Sequence, residues 1–317
     1  MPSREHFTYE SVLSRRALLS GALGSAAALY LGGCSPEQST EPEFARTPDW
    51  QQDFGKMPNG PIDTNVWNYS LGNANGWGNE QQQFYTQNQQ NVRVQDHRLV
   101  IQANHLDKPE RPYVSGRIDT RHKQSFGYGK LEIVGRLPAG VGTWSAFWML
   151  PENPKYPPET FGLKPDAPGI WGLNGEIDIM EAVGAEPGLV YPNLHTYDNT
   201  VNRIKAAPHP QIAVPDSTDV LHTYGVERTP ERVTFTFDHK PYYQVNKKDA
   251  VPAGHEADAP LYWPFDQNYY LILNLAMGGE WGGEKAKDYP PNGIDDASGP
   301  WQLRVSSIKH YPFNQPD

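Results

Sequence analysis

The chain has 317 residues, a formal net charge of −10, 12% aromatic residues, 29 glycines and 30 prolines. An acidic chain of this kind repels phosphate backbones and anionic membrane surfaces, which excludes nucleic acid as a partner and favours a neutral ligand. Gly and Pro spread along the chain exclude a long-helix architecture, and the lack of a fixed-period repeat excludes a solenoid or propeller.

The first 33 residues read as an export address. Arg15 and Arg16 precede a mildly apolar run, residues 17–33, that is shorter than the roughly 20 residues a membrane-spanning helix needs. The pair resembles a twin-arginine signal. The run ends in Leu31-Gly32-Gly33-Cys34, which resembles a bacterial lipobox and makes Cys34 the expected lipidation site. Cys34 is the only cysteine, so an intrachain disulfide is impossible. Residues 34–48 are rich in Ser, Thr, Glu and Pro and are expected to form a disordered tether. The expected location is the cell envelope, on the outer membrane or cell surface, or the medium. The lipid would be the only membrane contact.

The remaining residues, 49–317, read as one all-β domain. Residues 93–103 alternate apolar and polar around a turn, and residues 129–137 alternate again. Residues 232–237 and 242–245 flank Asp238-His239-Lys240-Pro241, a hairpin pattern. Residues 269–275 are nearly all apolar, as in a strand covered on both faces. The expected fold is an antiparallel β-sandwich of jelly-roll type, with one sheet curved into a concave face. A Pro-rich insertion at residues 152–169 is expected as a surface loop, and a monomer is expected.

Chemistry concentrates at residues 175–184, Gly-Glu-Ile-Asp-Ile-Met-Glu-Ala-Val-Gly. On a regular strand Glu176 and Asp178 share a face and Glu181 points away. One extra residue near Ile179-Met180 makes a bulge and returns Glu181 to their face. Glu176 and Glu181 then stand roughly 13 Å apart at Cα. Side chains leaning inward bring the carboxyls to about 5–6 Å, the spacing of a retaining glycosidase. Asp178 lies between them, where like charges share a proton. A solvated acidic face or a calcium site is the competing reading. Apolar Ile177, Ile179 and Met180 argue for a half-buried strand, where three acids cost stability unless they are used.

This segment resembles glycoside hydrolase family 16, in its bulged, laminarinase-like branch, whose pattern is Gly-Glu-x-Asp-x-x-Glu. The resemblance extends over roughly residues 50–312. It implies Glu176 as nucleophile, Glu181 as acid/base and Asp178 as the assisting acid. It also places Asn75 and Trp77 on an early substrate-facing segment, and Arg117 on a strand before the active site. Trp144 and Trp148 fall on the family's Trp-bearing strand, His195 beside the carboxylates and Trp281 in a C-terminal cleft segment. Flat indole faces suit the C–H faces of glucose rings, with hydrogen bonds fixing the hydroxyls. The activity implied is endo-hydrolysis of a β-1,3-glucan, extending to mixed-linkage β-1,3-1,4-glucan.

Three departures stand out. Trp171-Gly172-Leu173-Asn174 replaces a Trp-Pro pattern that the resemblance places at a cleft wall, and Arg228 stands where Trp is common. Ser306 stands where an Asp helps bind structural calcium, which weighs against that metal. The chemistry implied requires no cofactor, and no catalytic metal is expected. Two other readings stay open on the same sandwich: a hydrolase of agar, porphyran or carrageenan, and a surface glucan-binding protein without turnover.

Overall fold

The computed structural model describes residues 43–106, 112–198, 210–283, 294 and 299–314. Among them, strands form two sheets. The larger runs β15 (Lys240–Asn246), β14 (Arg232–Phe237), β13 (His222–Arg228), β8 (Gly129–Arg136), β17 (Trp301–Pro312), β5 (Arg98–His105), β6 (Tyr113–Ser115) and β3 (Gln83–Tyr85). Beside this path, β1 (Trp50–Asp53) pairs with β17 and β4 (Val92–Gln95) with β5. The smaller sheet runs β12 (Ile212–Ala213), β11 (Leu189–His195), β10 (Glu176–Val183), β9 (Thr143–Pro151), β16 (Tyr269–Met277), β7 (Arg117–Asp119) and β2 (Asn68–Tyr69). All pairings are antiparallel except β3 with β6. The expected sandwich is the fold found.

Alternation decides which side of each strand enters the core. Phe147 and Met149 of β9 and Leu271, Leu273 and Leu275 of β16 pack with Leu131, Ile133, Tyr224, Val226, Phe235 and Leu303 of the larger sheet. The Phe147 and Tyr224 rings meet across the interface at 5.9 Å. Each such large apolar side chain contributes about 1.5–3 kcal/mol by leaving water. All nine residues of β16 are buried. Its second face lies under the cleft, where Ile272 neighbours Trp148 and Ala276 neighbours Trp144. That is why its sequence shows no alternation.

The turns follow local chemistry. Asp96-His97 joins β4 to β5 and Asp238-His239 joins β14 to β15, each pair at positive φ. Two consecutive positive-φ residues match the right-handed twist of a hairpin. The second hairpin is therefore tighter than residues 238–241, because Lys240 and Pro241 already belong to β15.

The N-terminal boundary differs from the composition-based expectation. Residues 43–48 lie against the sandwich rather than in a tether. The Ala45 N–H donates to the Pro312 carbonyl at 2.9 Å, Phe44 bridges Phe313, and Glu43 pairs with Arg232. Backbone bonds to the end of β17 and two Phe rings capture a stretch that is polar in composition. Cys34, the twin-arginine segment and residues 34–42 lie outside the described residues.

Candidate active site

The catalytic candidates sit on β10, in the middle of the smaller sheet. Ile177, Ile179 and Met180 are at most 1% exposed and anchor the strand in the core. Against β9 the register runs Asp178 to Trp148 and then Met180 to Phe147, so Ile179 is the extra residue of a bulge. Two consecutive core residues, Ile179 and Met180, require that extra step. Beyond it Glu181 pairs with Ala146 on the face of Glu176 and Asp178. Glu176, Asp178 and Glu181 line one small pocket together.

Each carboxylate has a different setting. Trp144 Nε1–H donates to Glu181 Oε1 at 3.0 Å. His195, opposite Glu176 on β11, brings Nε2 to 3.7 Å from Glu176 Oε1 and 3.1 Å from Asp178 Oδ2. Asn193 Nδ2 lies 3.0 Å from the same ring nitrogen. Asp178 Oδ2 is buried, and its approach to His195 is not aligned as a hydrogen bond. Burial is the largest cause raising all three carboxyl pKa values. Glu181 is pushed up to about 8, with Asp178 adding to the effect and the Trp144 N–H opposing it. Glu176 is raised by burial and then by Asp178, while His195 and Arg117 pull it down. Its side chain keeps 19% exposure against 4% for Asp178. Of that coupled pair, Glu176 is therefore the readier to ionise. A carboxyl that keeps its proton can serve as an acid and one that ionises can serve as a nucleophile, so the site holds groups for both roles.

The carboxylates lie at the floor of an open cleft of about 1290 Å³, larger than the roughly 300–1,000 Å³ typical of small-molecule sites. The volume suits several sugar units. Trp77, Trp144, Trp148, Trp171, Tyr191, Trp281, Glu186 and His195 all reach it.

The residues anticipated from sequence fall into place unevenly. Arg117 is held between two indoles, 4.6 Å from the Trp77 centroid and 4.8 Å from that of Trp148. Its Nε is buried without a partner and belongs to the pocket that holds Asp178. Trp148 Nε1–H donates to Asn274 Oδ1 at 2.7 Å. Trp144 is 9% exposed and packs with Val183, Ala276 and Trp281, so its N–H rather than its face serves the site. Trp281 bridges Trp144 and Tyr191 edge to face. Asn75 is not among the residues that line the cleft. It is exposed, at φ 54° in the turn that presents Trp77, and Gly78 and Asn79 line the cleft instead.

Tyr191, Asn193 and Glu186 are among the cleft residues that were not anticipated. Tyr191 and Asn193 share the face of His195 at spacings of four and two, which period-2 reading of β11 reveals. Glu186 accepts from the Tyr191 hydroxyl at 2.6 Å. Trp171 is 54% exposed, with its ring 5.0 Å from that of His195. Its segment is the departure that the family resemblance places at a cleft wall.

Glu176, Asp178 and His195 offer ligand atoms within 4.8 Å of one another, a donor set that could take a cation. A cation there would occupy a Glu176 oxygen and compete with any covalent use of that carboxylate.

The model of glycosyl hydrolases family 16 matches residues 78–290. A beta-glucanase of Rhodothermus marinus is 37% identical over 88% of this chain and 90% of its own length. A glucan endo-1,3-beta-glucosidase of Cryptopygus antarcticus is 34% identical over 74% of this chain and 82% of its own length. The crystal structure of the Rhodothermus marinus laminarinase superposes with a TM-score of 0.72 at 35% identity, covering 86% of this chain and 98% of that one. The bulged strand, its carboxylates and these likenesses agree: the chain belongs to glycosyl hydrolases family 16.

Proposed function

We propose that the protein is a retaining endo-hydrolase of neutral β-1,3-glucan of the laminarin type, with mixed-linkage β-1,3-1,4-glucan as a second substrate. The observation that carries the reading is the pair Glu176 and Glu181 on one face of a bulged strand, beneath an open aromatic cleft. Glu176 attacks the anomeric carbon while Glu181 protonates the departing glycosidic oxygen. The glycosyl–Glu176 ester forms as the C–O bond breaks. Glu181, now a carboxylate, takes a proton from water, and the resulting hydroxide displaces Glu176. Asp178 and His195 hold the remaining proton beside the nucleophile. The cleft volume of about 1290 Å³ has room for several sugar units, which suits internal cleavage of a long chain.

Charge in the cleft supports a neutral substrate. Glu176, Asp178, Glu181 and Glu186 reach it, while Arg117 is the basic side chain there among the described residues and is enclosed by two indoles. A sulfated galactan would meet that excess of carboxylates. The intact pair Glu176 and Glu181 favours turnover over binding alone. The N-terminal pattern supports export by a twin-arginine route, lipidation at Cys34 and residence at the cell envelope, with the catalytic domain acting as a monomer.

The test is reducing-end release by the full chain and Glu176→Gln on laminarin, lichenan, agarose and carrageenan. Release from laminarin by wild type alone supports the proposal. Release solely from a galactan overturns the substrate, and binding of laminarin without release overturns the enzyme reading.

A further inference from the structure

The two departures at residues 171–174 and 228, together with the 152–169 insertion, look unrelated in sequence. In the structure they meet behind the start of β10. The Asn174 side chain makes a two-way bond with the main chain of Tyr156: its Oδ1 accepts the Tyr156 N–H at 2.8 Å, and its Nδ2 donates to the Tyr156 carbonyl at 2.9 Å. The Asn174 carbonyl accepts from Gln267 Nε2 at 3.0 Å and from the Tyr269 hydroxyl at 2.8 Å. Gln267 closes the ring, because its Oε1 accepts the Lys155 N–H at 3.1 Å. Asp266 holds the outside of the insertion through Lys155 Nζ at 2.7 Å and the Tyr156 hydroxyl at 2.5 Å.

Arg228 supports the ring from below. It is 2% exposed and donates to the carbonyls of Phe265, Gln267, Phe126 and Gly127. It also lies 4.8 Å from the Tyr269 ring centroid. Four carbonyls thus solvate a buried cation that has no carboxylate partner among its hydrogen bonds to the described residues. A Trp at that position would supply a single N–H. Gly175, between Asn174 and the nucleophile, has φ +79°, and a Cβ there would stand 2.6 Å from the Tyr269 hydroxyl. The chain therefore has one path from Asn174 to Glu176. Asn174 also ends the 3-10 turn Ile170–Asn174 that carries exposed Trp171.

We propose that Asn174 is a positioning residue that locks the 152–169 insertion to the start of β10, so that the insertion sets where Trp171 and Glu176 meet the sugar chain. The proposal rests on the glucanase reading for its substrate and on the ring of hydrogen bonds for its geometry. Sheet order puts Trp171 and His195 on the β11 side of the carboxylates, and Trp77, Arg117 and Trp148 on the β7 and β9 side. The insertion therefore governs the half of the bound chain that reaches toward β11. Positioning of this kind acts on kcat, because a displacement near 1 Å costs far more in the transition state than in binding.

The experiment compares full-length wild type, Asn174→Ala, Asn174→Asp, Asp266→Ala and the Asn174→Ala/Asp266→Ala double variant. Asn174→Ala is expected to lower kcat on laminarin about tenfold with KM within about threefold. Asp266→Ala is expected to lose less, and the double variant no more than Asn174→Ala alone, since both act through Tyr156. Asn174→Asp should recover relative to Asn174→Ala as pH falls, because a protonated carboxyl again donates to the Tyr156 carbonyl. Amide exchange at Gly175–Ile177 should speed up in Asn174→Ala without substrate. A kcat within twofold of wild type, a loss carried wholly by KM, additive losses in the double variant, or unchanged exchange at these amides would each overturn the proposal. The exchange result stands even when wild type cuts none of the glucans, so failure of the glucanase reading is separately visible.

Discussion

Glu132 on β8 and Glu181 on β10 are glutamates sunk into opposite sheets of the same sandwich, and they are treated in opposite ways. Glu132, 6% exposed, is met by Lys130 Nζ at 3.0 Å and His239 Nδ1 at 2.9 Å. Glu181 receives, among the described residues, a neutral N–H from Trp144, and it faces two further acids. The outer sheet compensates a buried carboxylate, and the cleft sheet leaves one uncompensated. A buried acid without a cation keeps its proton, and this is what the general acid of a glycosidase requires. Stability given up at β10 is therefore the source of the reactivity there.

Substitutions can break this contrast, beginning with the largest effect. Glu176→Gln should lower kcat on laminarin by about 10⁴-fold or more, because the covalent intermediate can no longer form. A Glu176→Gly variant given azide should regain turnover and release a glycosyl azide of inverted configuration, read by NMR. Glu181→Gln should cost about 10²–10⁴-fold on laminarin. It should cost much less on an aryl glycoside, whose leaving group departs without a proton. In wild type, kcat/KM should fall as pH rises through about 8, where Glu181 loses its proton.

Stability should move in opposite directions at the two glutamates. Glu132→Gln loses two ionic partners and should destabilise by about 1–2 kcal/mol near pH 7, read as a lower denaturation midpoint. Glu181→Gln should stabilise, and increasingly so with pH. The folded carboxyl, raised to about 8 from an ordinary 4.5, holds a proton that the unfolded chain has lost. Its contribution is full below about pH 4.5 and disappears as pH rises through 8. The Tm difference between Glu181→Gln and wild type should therefore grow from pH 5 to pH 9, at about 2–4 °C per kcal/mol. The smallest effect tests the Trp144 N–H. Trp144→Phe removes the donor that favours ionised Glu181, so the alkaline limb of kcat/KM should move to higher pH.

Much of the catalytic strand was legible in the sequence, because a bulge announces itself in one dimension. Ile179-Met180 breaks the alternation of Glu176-Ile177-Asp178, and only an extra residue lets both apolar side chains enter the core. The strands at β8, β14 and β16 were legible for the same reason, since alternation or its absence states how many faces are covered. The turn at residues 74–77 was not legible as to which of its side chains line the cleft: Asn75 and Trp77 are both at positive φ, and Trp77 lines it. Tyr191 and Glu186 were missed because nothing local says that their strand edge borders the cleft. The capture of residues 43–48 was missed because their partners, Pro312 and Phe313, lie at the other end of the chain.

The sequence by itself determined the chemistry: which acids share a face, and the sandwich that presents them. Those properties follow from periods of two and from one interruption of that period, both local. Tertiary structure alone decided the setting of each acid. Trp144 to Glu181 and His195 to Asp178 are contacts between neighbouring strands, and the Asn174 ring joins residues 18 to 112 positions apart. Proton affinity depends on burial and on charges within a few ångströms, and distance along the chain does not report either.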